Sequence, residues 1–123
     1  MNPVYIDTTF WTTYEWLYFI HLLPYGMSAS VMNALDLAYG FTQSGNAEIL
    51  CAWLQLAIMN NYEPAYGKLE LFLQSVGRRK FLMPLYKALI KTEAGKTLAA
   101  SIYKKARPNY HYIASASIDA LFV

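Results

Sequence analysis

Apolar residues recur along this chain every three to four positions, and nowhere alternate strictly between hairpin turns. That period predicts helices and no strand-rich region. Thr12-Thr13-Tyr14-Glu15 is a capping-box pattern, with Glu three residues after Thr, and opens a helix expected to run to Leu23 and stop at Pro24. Ser28 caps a second helix whose apolar positions are Val31, Leu35 and Ala38, and Gly40 ends it. After the turn Ser44-Gly45-Asn46, Asn46 is a good N-cap for a third helix to about Asn60.

The third helix carries Ile49, Leu50, Trp53, Leu54, Leu56, Ala57 and Ile58 around most of its circumference, leaving only Glu48, Ala52, Gln55 and Met59 as a seam. A helix apolar nearly all round is a central, buried one. Glu63-Pro64 starts a fourth helix with the stripe Ala65, Tyr66, Leu69, Phe72, Leu73 and Val76, and Gly77 stops it. Beyond a basic stretch, a fifth holds Leu85, Leu89 and Ile90, with Pro84 expected in its first turn. Thr92 caps a sixth through Leu98, Ala99, Ile102 and Tyr103, ending before Arg107-Pro108, and a seventh spans about 112–121. The expected fold is therefore all-α: a single helical domain over residues 1–123, an armadillo/HEAT-like superhelix of about seven short antiparallel helices.

Composition agrees. Apolar residues make up 56% of the 123 and charged ones 15%, which excludes intrinsic disorder. The start MNPVYIDTTF lacks the basic, then apolar, character of a signal peptide. The longest apolar stretch, 49–59, falls well short of the roughly 20 residues that cross a bilayer. The single Cys51 cannot form an internal disulfide and fits a reducing, cytoplasmic compartment.

Charge is lopsided. Residues 1–67 contain no Lys or Arg and sum to −5, whereas the remainder sums to +7. The plainer explanation is that the two halves attract each other, or that each faces a neighbour of opposite sign; an anionic partner for the basic half is the other.

Candidate chemistry is sparse. No His-Glu-x-x-His, Cys/His cluster or phosphate loop is present, so neither a metal site nor a cofactor site is expected within this chain. His21 lies in an apolar helix and is expected to be a satisfied interior histidine. Cys51 has only Glu48 and Gln55 nearby along its helix and reads as a buried, inert thiol. One stretch stands apart: Gly77-Arg78-Arg79-Lys80-Phe81, three cations between one helix and the next. Cations near helix C-terminal carbonyls are favourable by ~0.3–1 kcal/mol, which is explanation enough structurally. An anion site is the functional alternative, with Arg offering a planar fork and Lys a point charge. Three cations on a near-neutral chain are thin support for nucleic-acid binding.

Phe41-Thr42-Gln43-Ser44-Gly45-Asn46-Ala47-Glu48-Ile49, then Trp53-Leu54, then Gly77-Arg78-Arg79-Lys80-Phe81 and Pro84-Leu85-Tyr86-Lys87 together resemble the C-terminal domain of the leukotriene A4 hydrolase and aminopeptidase B family. The late Tyr110-His111 and a short final helix fit as well. The resemblance runs from about residue 13 to 122. It implies an armadillo-like domain following a thermolysin-like catalytic domain, which would hold the zinc, the general base and the proton donor. It also implies that Arg78 and Lys80 bind the carboxylate of the peptide substrate, with Arg79 as an accessory cation. Arg79 stands where the family often has Met, Met83 where an Arg commonly precedes the Pro, and His111-Tyr112 where the family has His-Pro.

The function this implies is the C-terminal domain of a zinc-dependent aminopeptidase, forming one wall of the substrate cleft, with no catalytic residue of its own. Its partners would be the catalytic domain of the same polypeptide and a peptide substrate, not nucleic acid or membrane. A stand-alone helical-repeat module that binds other proteins is the alternative, drawn from the aromatic richness and the charge asymmetry.

Overall fold

Seven α-helices follow one another in the computed structural model, which describes residues 11–23 and 26–122, and no strand occurs among those residues. They are α1 (Thr13–Leu22), α2 (Ala29–Tyr39), α3 (Ala47–Met59), α4 (Tyr66–Ser75), α5 (Arg79–Leu89), α6 (Glu93–Ala106) and α7 (Tyr112–Asp119). Short 3-10 turns occur at Phe41–Gln43, Glu63–Ala65, Arg107–Asn109 and Ala120–Phe122. The all-α expectation holds, with the short helices and short connections of a helical-repeat fold. Pro24, expected to end the first helix, lies outside the described residues; α1 ends at Leu22 with Leu23 as its C-cap. Contacts group the chain into two compact units, residues 1–63 and 64–123.

In the first unit the caps form as the sequence predicts. Glu15 N–H donates to Thr12 Oγ1 at 3.4 Å while Thr12 N–H donates to the Glu15 carboxylate at 3.3 Å, closing the capping box. Asn46 Oδ1 accepts from the N–H groups of Glu48 and Ile49, and its Nδ2 donates to Thr13 Oγ1 at 3.0 Å, tying the start of α3 to α1. Gly40 ends α2 with φ 64°, a left-handed conformation that costs glycine nothing. Asn60 closes the other end of α3, accepting through Oδ1 from the N–H of Gly26 and, at 3.1 Å, from that of Met27.

α3 is the buried centre of this unit. Leu50, Cys51, Ala52, Trp53, Leu54, Leu56, Ala57 and Ile58 are all buried, so Ala52 belongs to the core rather than to the polar seam. α1 and the turn Phe41–Gln43 pack on it. The core face of α2 differs from the expected one: Met32 and Leu35 are buried, whereas Val31 and Ala38 are exposed. Both stripes pass through Leu35 and fit a 3.6-residue period. The difference lies in Met32, whose long side chain is completely buried.

In the second unit α4 packs against α6, and α5 packs against both α6 and α7. Tyr86 Oη donates to Tyr110 Oη at 3.0 Å, and Tyr110 in turn donates to the carbonyl of Leu73, so two buried phenols satisfy each other and α4. Burial raises the pKa of both hydroxyls above the usual phenol value. At the C-terminal end the Tyr103 ring stacks on Phe122 with centroids 5.5 Å apart, and the Tyr103 hydroxyl meets the Ser115 carbonyl at 2.9 Å and the Asp119 carboxylate. Arg107 grips the same carboxylate with two bonds of 3.0 and 2.8 Å.

α5 starts earlier than expected. Pro84 is not in its first turn but inside the helix, and the residues before it, from Arg79, are already helical. Proline has no N–H to offer the carbonyl of Lys80, at a cost of ~3 kcal/mol in a helix interior. The helix persists because Phe81, Leu82, Leu85, Tyr86 and Leu89 are all buried along one face. Each such side chain is worth about 1.5–3 kcal/mol, so the stripe outweighs the break.

Candidate functional site

This shift of α5 relocates the basic stretch. Arg78 is the N-cap of α5, while Arg79 and Lys80 are its first two helical residues. The cations therefore stand at the positive end of the helix dipole, where each is disfavoured by ~0.3–1 kcal/mol at low ionic strength. They also follow the C-cap of α4, Val76, by two to four residues. No acidic residue lies in the first turn, and Arg78 makes no side-chain cap bond. All three are exposed, and neither Arg78 nor Arg79 is in an ion pair among the described residues. Lys105 and Arg107, by contrast, are paired with Glu70 and Asp119.

The three part company in direction. Arg78 Cζ lies 5.7 Å and Lys80 Nζ 5.0 Å from the centroid of one ring, that of Phe81. The two cations are thus no further apart than those two distances combined. Attraction to the ring's negative face explains why both settle there. Phe81 is itself buried, in edge contact with Phe72 at 6.0 Å, so the perch is rigid. Arg79 turns elsewhere: its Nε donates to Ser117 Oγ on α7 at 2.9 Å. The structure thus brings Arg78 and Lys80 together and separates Arg79 from them. Phe81 stood in the sequence motif, but its role as a shared perch did not follow from spacing. No local signal marks Ser117, which lies 38 residues from Arg79.

Among the described residues no group of three or more His, Cys, Asp or Glu is placed to hold an ion. His21 is exposed at the end of α1, correcting the expectation of an interior histidine, and His111 is exposed at the N-cap of α7. The donors present therefore do not fit a zinc site. Cys51 is buried, and burial first, then Glu48, pushes its thiol up to about 11, which leaves little thiolate near neutral pH. No helix among the described residues is long and apolar enough to cross a membrane.

The motif residues between 41 and 54 belong to the first unit. Phe41 stacks on Trp53 at 4.8 Å, and Trp53 Nε1 donates to Thr42 Oγ1 at 3.0 Å. Thr42 in turn donates to Asp36 at 2.6 Å, and Tyr62 reaches the same carboxylate at 3.2 Å. This partly buried polar network was invisible in the sequence, because its members come from α2, the turn 41–43, α3 and the segment after α3.

Comparison with known proteins bears on both regions. Residues 11–122 match the family model described as leukotriene A4 hydrolase, C-terminal. Leucine aminopeptidase 2 of Neurospora crassa is 30% identical over 121 residues, covering 96% of this chain and 18% of its own length. Aminopeptidase B of Mus musculus is 29% identical over 105 residues, 82% of this chain and 16% of its own. Leucine aminopeptidase 2 of Yarrowia lipolytica is 36% identical over 75 residues, 61% of this chain and 11% of its own. The chain thus spans less than a fifth of the length of each of these curated relatives.

Proposed function

The chain belongs to the leukotriene A4 hydrolase C-terminal family, and from that premise we propose that it serves as the C-terminal domain of a zinc aminopeptidase, forms one wall of its substrate cleft and binds the peptide carboxylate through Arg78 and Lys80. In this reading the two compact units act as one domain, and the zinc and the groups that cleave the peptide bond belong to a catalytic domain of the same polypeptide. The observation that carries the reading is the Phe81 ring, which a guanidinium and an ammonium share at a helix N-terminus. A carboxylate there meets the Arg fork, a second positive charge and the positive end of a dipole. The work of this chain is then positional: fixing the substrate's C-terminus spends binding energy on aligning the scissile bond.

The test is Arg78→Ala in the full-length enzyme, assayed on a tripeptide and on an uncharged aminoacyl anilide. The tripeptide is expected to lose on the order of 2–4 kcal/mol in kcat/KM and the anilide to lose little. Equal losses on both would remove the carboxylate role.

A second reading, a stand-alone protein-interaction module, draws on Tyr14, Tyr18 and Leu22, which follow one another at intervals of four along α1 with exposures of 84%, 68% and 64%. A His-Glu-x-x-His motif encoded in frame upstream of Met1 supports the enzyme reading; a ribosome-binding site directly before Met1 supports this one.

A further inference from the structure

We propose that Arg79 is a positioning residue: bonded to Ser117, it fixes the first turn of α5 on α7 and so holds Arg78 and Lys80 over the Phe81 ring without itself touching the anion. The inference rests on the carboxylate-binding reading for its functional consequence, but its structural half stands alone.

The first turn of α5 is a weak piece of helix. Its N-cap residue supplies no side-chain acceptor, and no carboxylate in the turn opposes the dipole. Lys80 loses the acceptor role for its carbonyl because residue 84 is proline. Two backbone bonds close the turn, from the N–H groups of Phe81 and Leu82 to the Arg78 carbonyl at 3.0 and 3.1 Å. The side chains of Phe81 and Leu82 anchor its inner face. On its outer face Arg79 supplies a tether, its Nε donating to Ser117 Oγ at 2.9 Å. Ser117 is an oriented acceptor, since its own proton goes to the Ile113 carbonyl one turn back on α7, at 3.0 Å. The guanidinium is thereby committed to α7, and its neighbours on either side are left to share the ring. A third cation directed at the same ring would repel the other two; bonding it to a hydroxyl on the next helix removes that repulsion as well as fixing the turn.

Two measurements separate the halves. In the 123-residue chain itself, the side-chain methylene protons of Arg78 and Lys80 should show ring-current shifts from Phe81 by NMR. Ser117→Ala and Arg79→Met should reduce those shifts, and Ser117→Thr, which keeps the hydroxyl, should restore them. In the full-length enzyme, Ser117→Ala should raise KM for a tripeptide about threefold to tenfold, the range set by one hydrogen bond. Its kcat, and the KM for the same tripeptide amidated at its C-terminus, should stay within about twofold, a split that general loss of structure would not produce. Unchanged ring-current shifts in Ser117→Ala would overturn the positioning role. Changed shifts with acid and amide affected alike would instead overturn the carboxylate reading.

Discussion

Trp53 gives its indole N–H to the Thr42 hydroxyl at 3.0 Å, and that hydroxyl gives its own proton to Asp36 at 2.6 Å. Trp53 is completely buried and Thr42 nearly so. Thr42→Val keeps the shape but leaves an indole donor with no acceptor, and a buried unsatisfied group costs about 1–3 kcal/mol. Thr42→Ser keeps the hydroxyl and loses one methyl, worth about 1 kcal/mol or less. Urea unfolding of both should place Thr42→Val clearly below Thr42→Ser. The reverse order would mean the network contributes little and the methyl contact dominates.

Two helical glycines should respond to alanine with opposite signs. A Cβ on Gly95 would stand 2.1 Å from the backbone carbonyl oxygen of Leu89, where only a backbone shift makes room. Such overpacking costs about 1–3 kcal/mol, more than the ~1 kcal/mol of helix propensity that alanine gains. Gly67, in the first turn of α4, has nothing within 4 Å of its would-be Cβ. There alanine should stabilise by about 0.5 kcal/mol. Thermal melts of Gly95→Ala and Gly67→Ala should move in opposite directions from the parent chain.

Most of the helical layout was legible because caps and stops are local. Thr12, Ser28, Asn46 and Thr92 each accept a bond from the first turn that follows, as their sequence positions predict. Pro84 does not mark the start of α5, because the buried apolar stripe runs back through it to Phe81 and outweighs the lost backbone bond. The core stripe of α2 is not legible from sequence, because two stripes share Leu35 and only tertiary contact decides between them. At the candidate site, the residue types of Arg78 and Lys80 and their spacing were readable. What fixes them in space, a shared ring and a serine 38 positions from Arg79, was not, because pairings between helices leave no periodic trace.

Stability should depend on pH at both extremes, through the same end of the molecule. The two Arg107 bonds, and then the Tyr103 hydroxyl, hold the Asp119 carboxyl down at about 2. In the unfolded chain it titrates near 4. Its contribution is therefore complete above about pH 4 and is lost as pH falls toward 2. Tyr103 behaves oppositely: burial, then Asp119, pushes it up to about 12. The unfolded phenol releases its proton near 10, so stability should decline as pH rises from about 10 toward 12. Chemical unfolding across pH should show both slopes. Asp119→Asn should flatten the acid one; an acid slope unchanged in that variant would assign it to other carboxylates.

Phe81 offers the sharpest separation of scaffold from function, since one ring serves the core and both cations. Phe81→Leu keeps an apolar side chain in the core but removes the π face, worth about 0.5–1 kcal/mol to each exposed cation. It also removes the edge contact with Phe72, worth a further 0.5–1.5 kcal/mol of stability. Phe72→Leu removes that same contact while leaving the perch intact, and is therefore the control. Phe81→Leu should melt below Phe72→Leu, because it alone also loses the two cation–π contacts, together about 1–2 kcal/mol. In the full-length aminopeptidase proposed for this domain, Phe81→Leu should raise KM for a tripeptide about threefold to tenfold over its C-terminal amide, because Arg78 and Lys80 each lose an orienting contact. Phe72→Leu should leave the ratio of the two substrates where it was. If both variants change that ratio equally, the ring is a core residue whose nearness to two cations has no bearing on substrate.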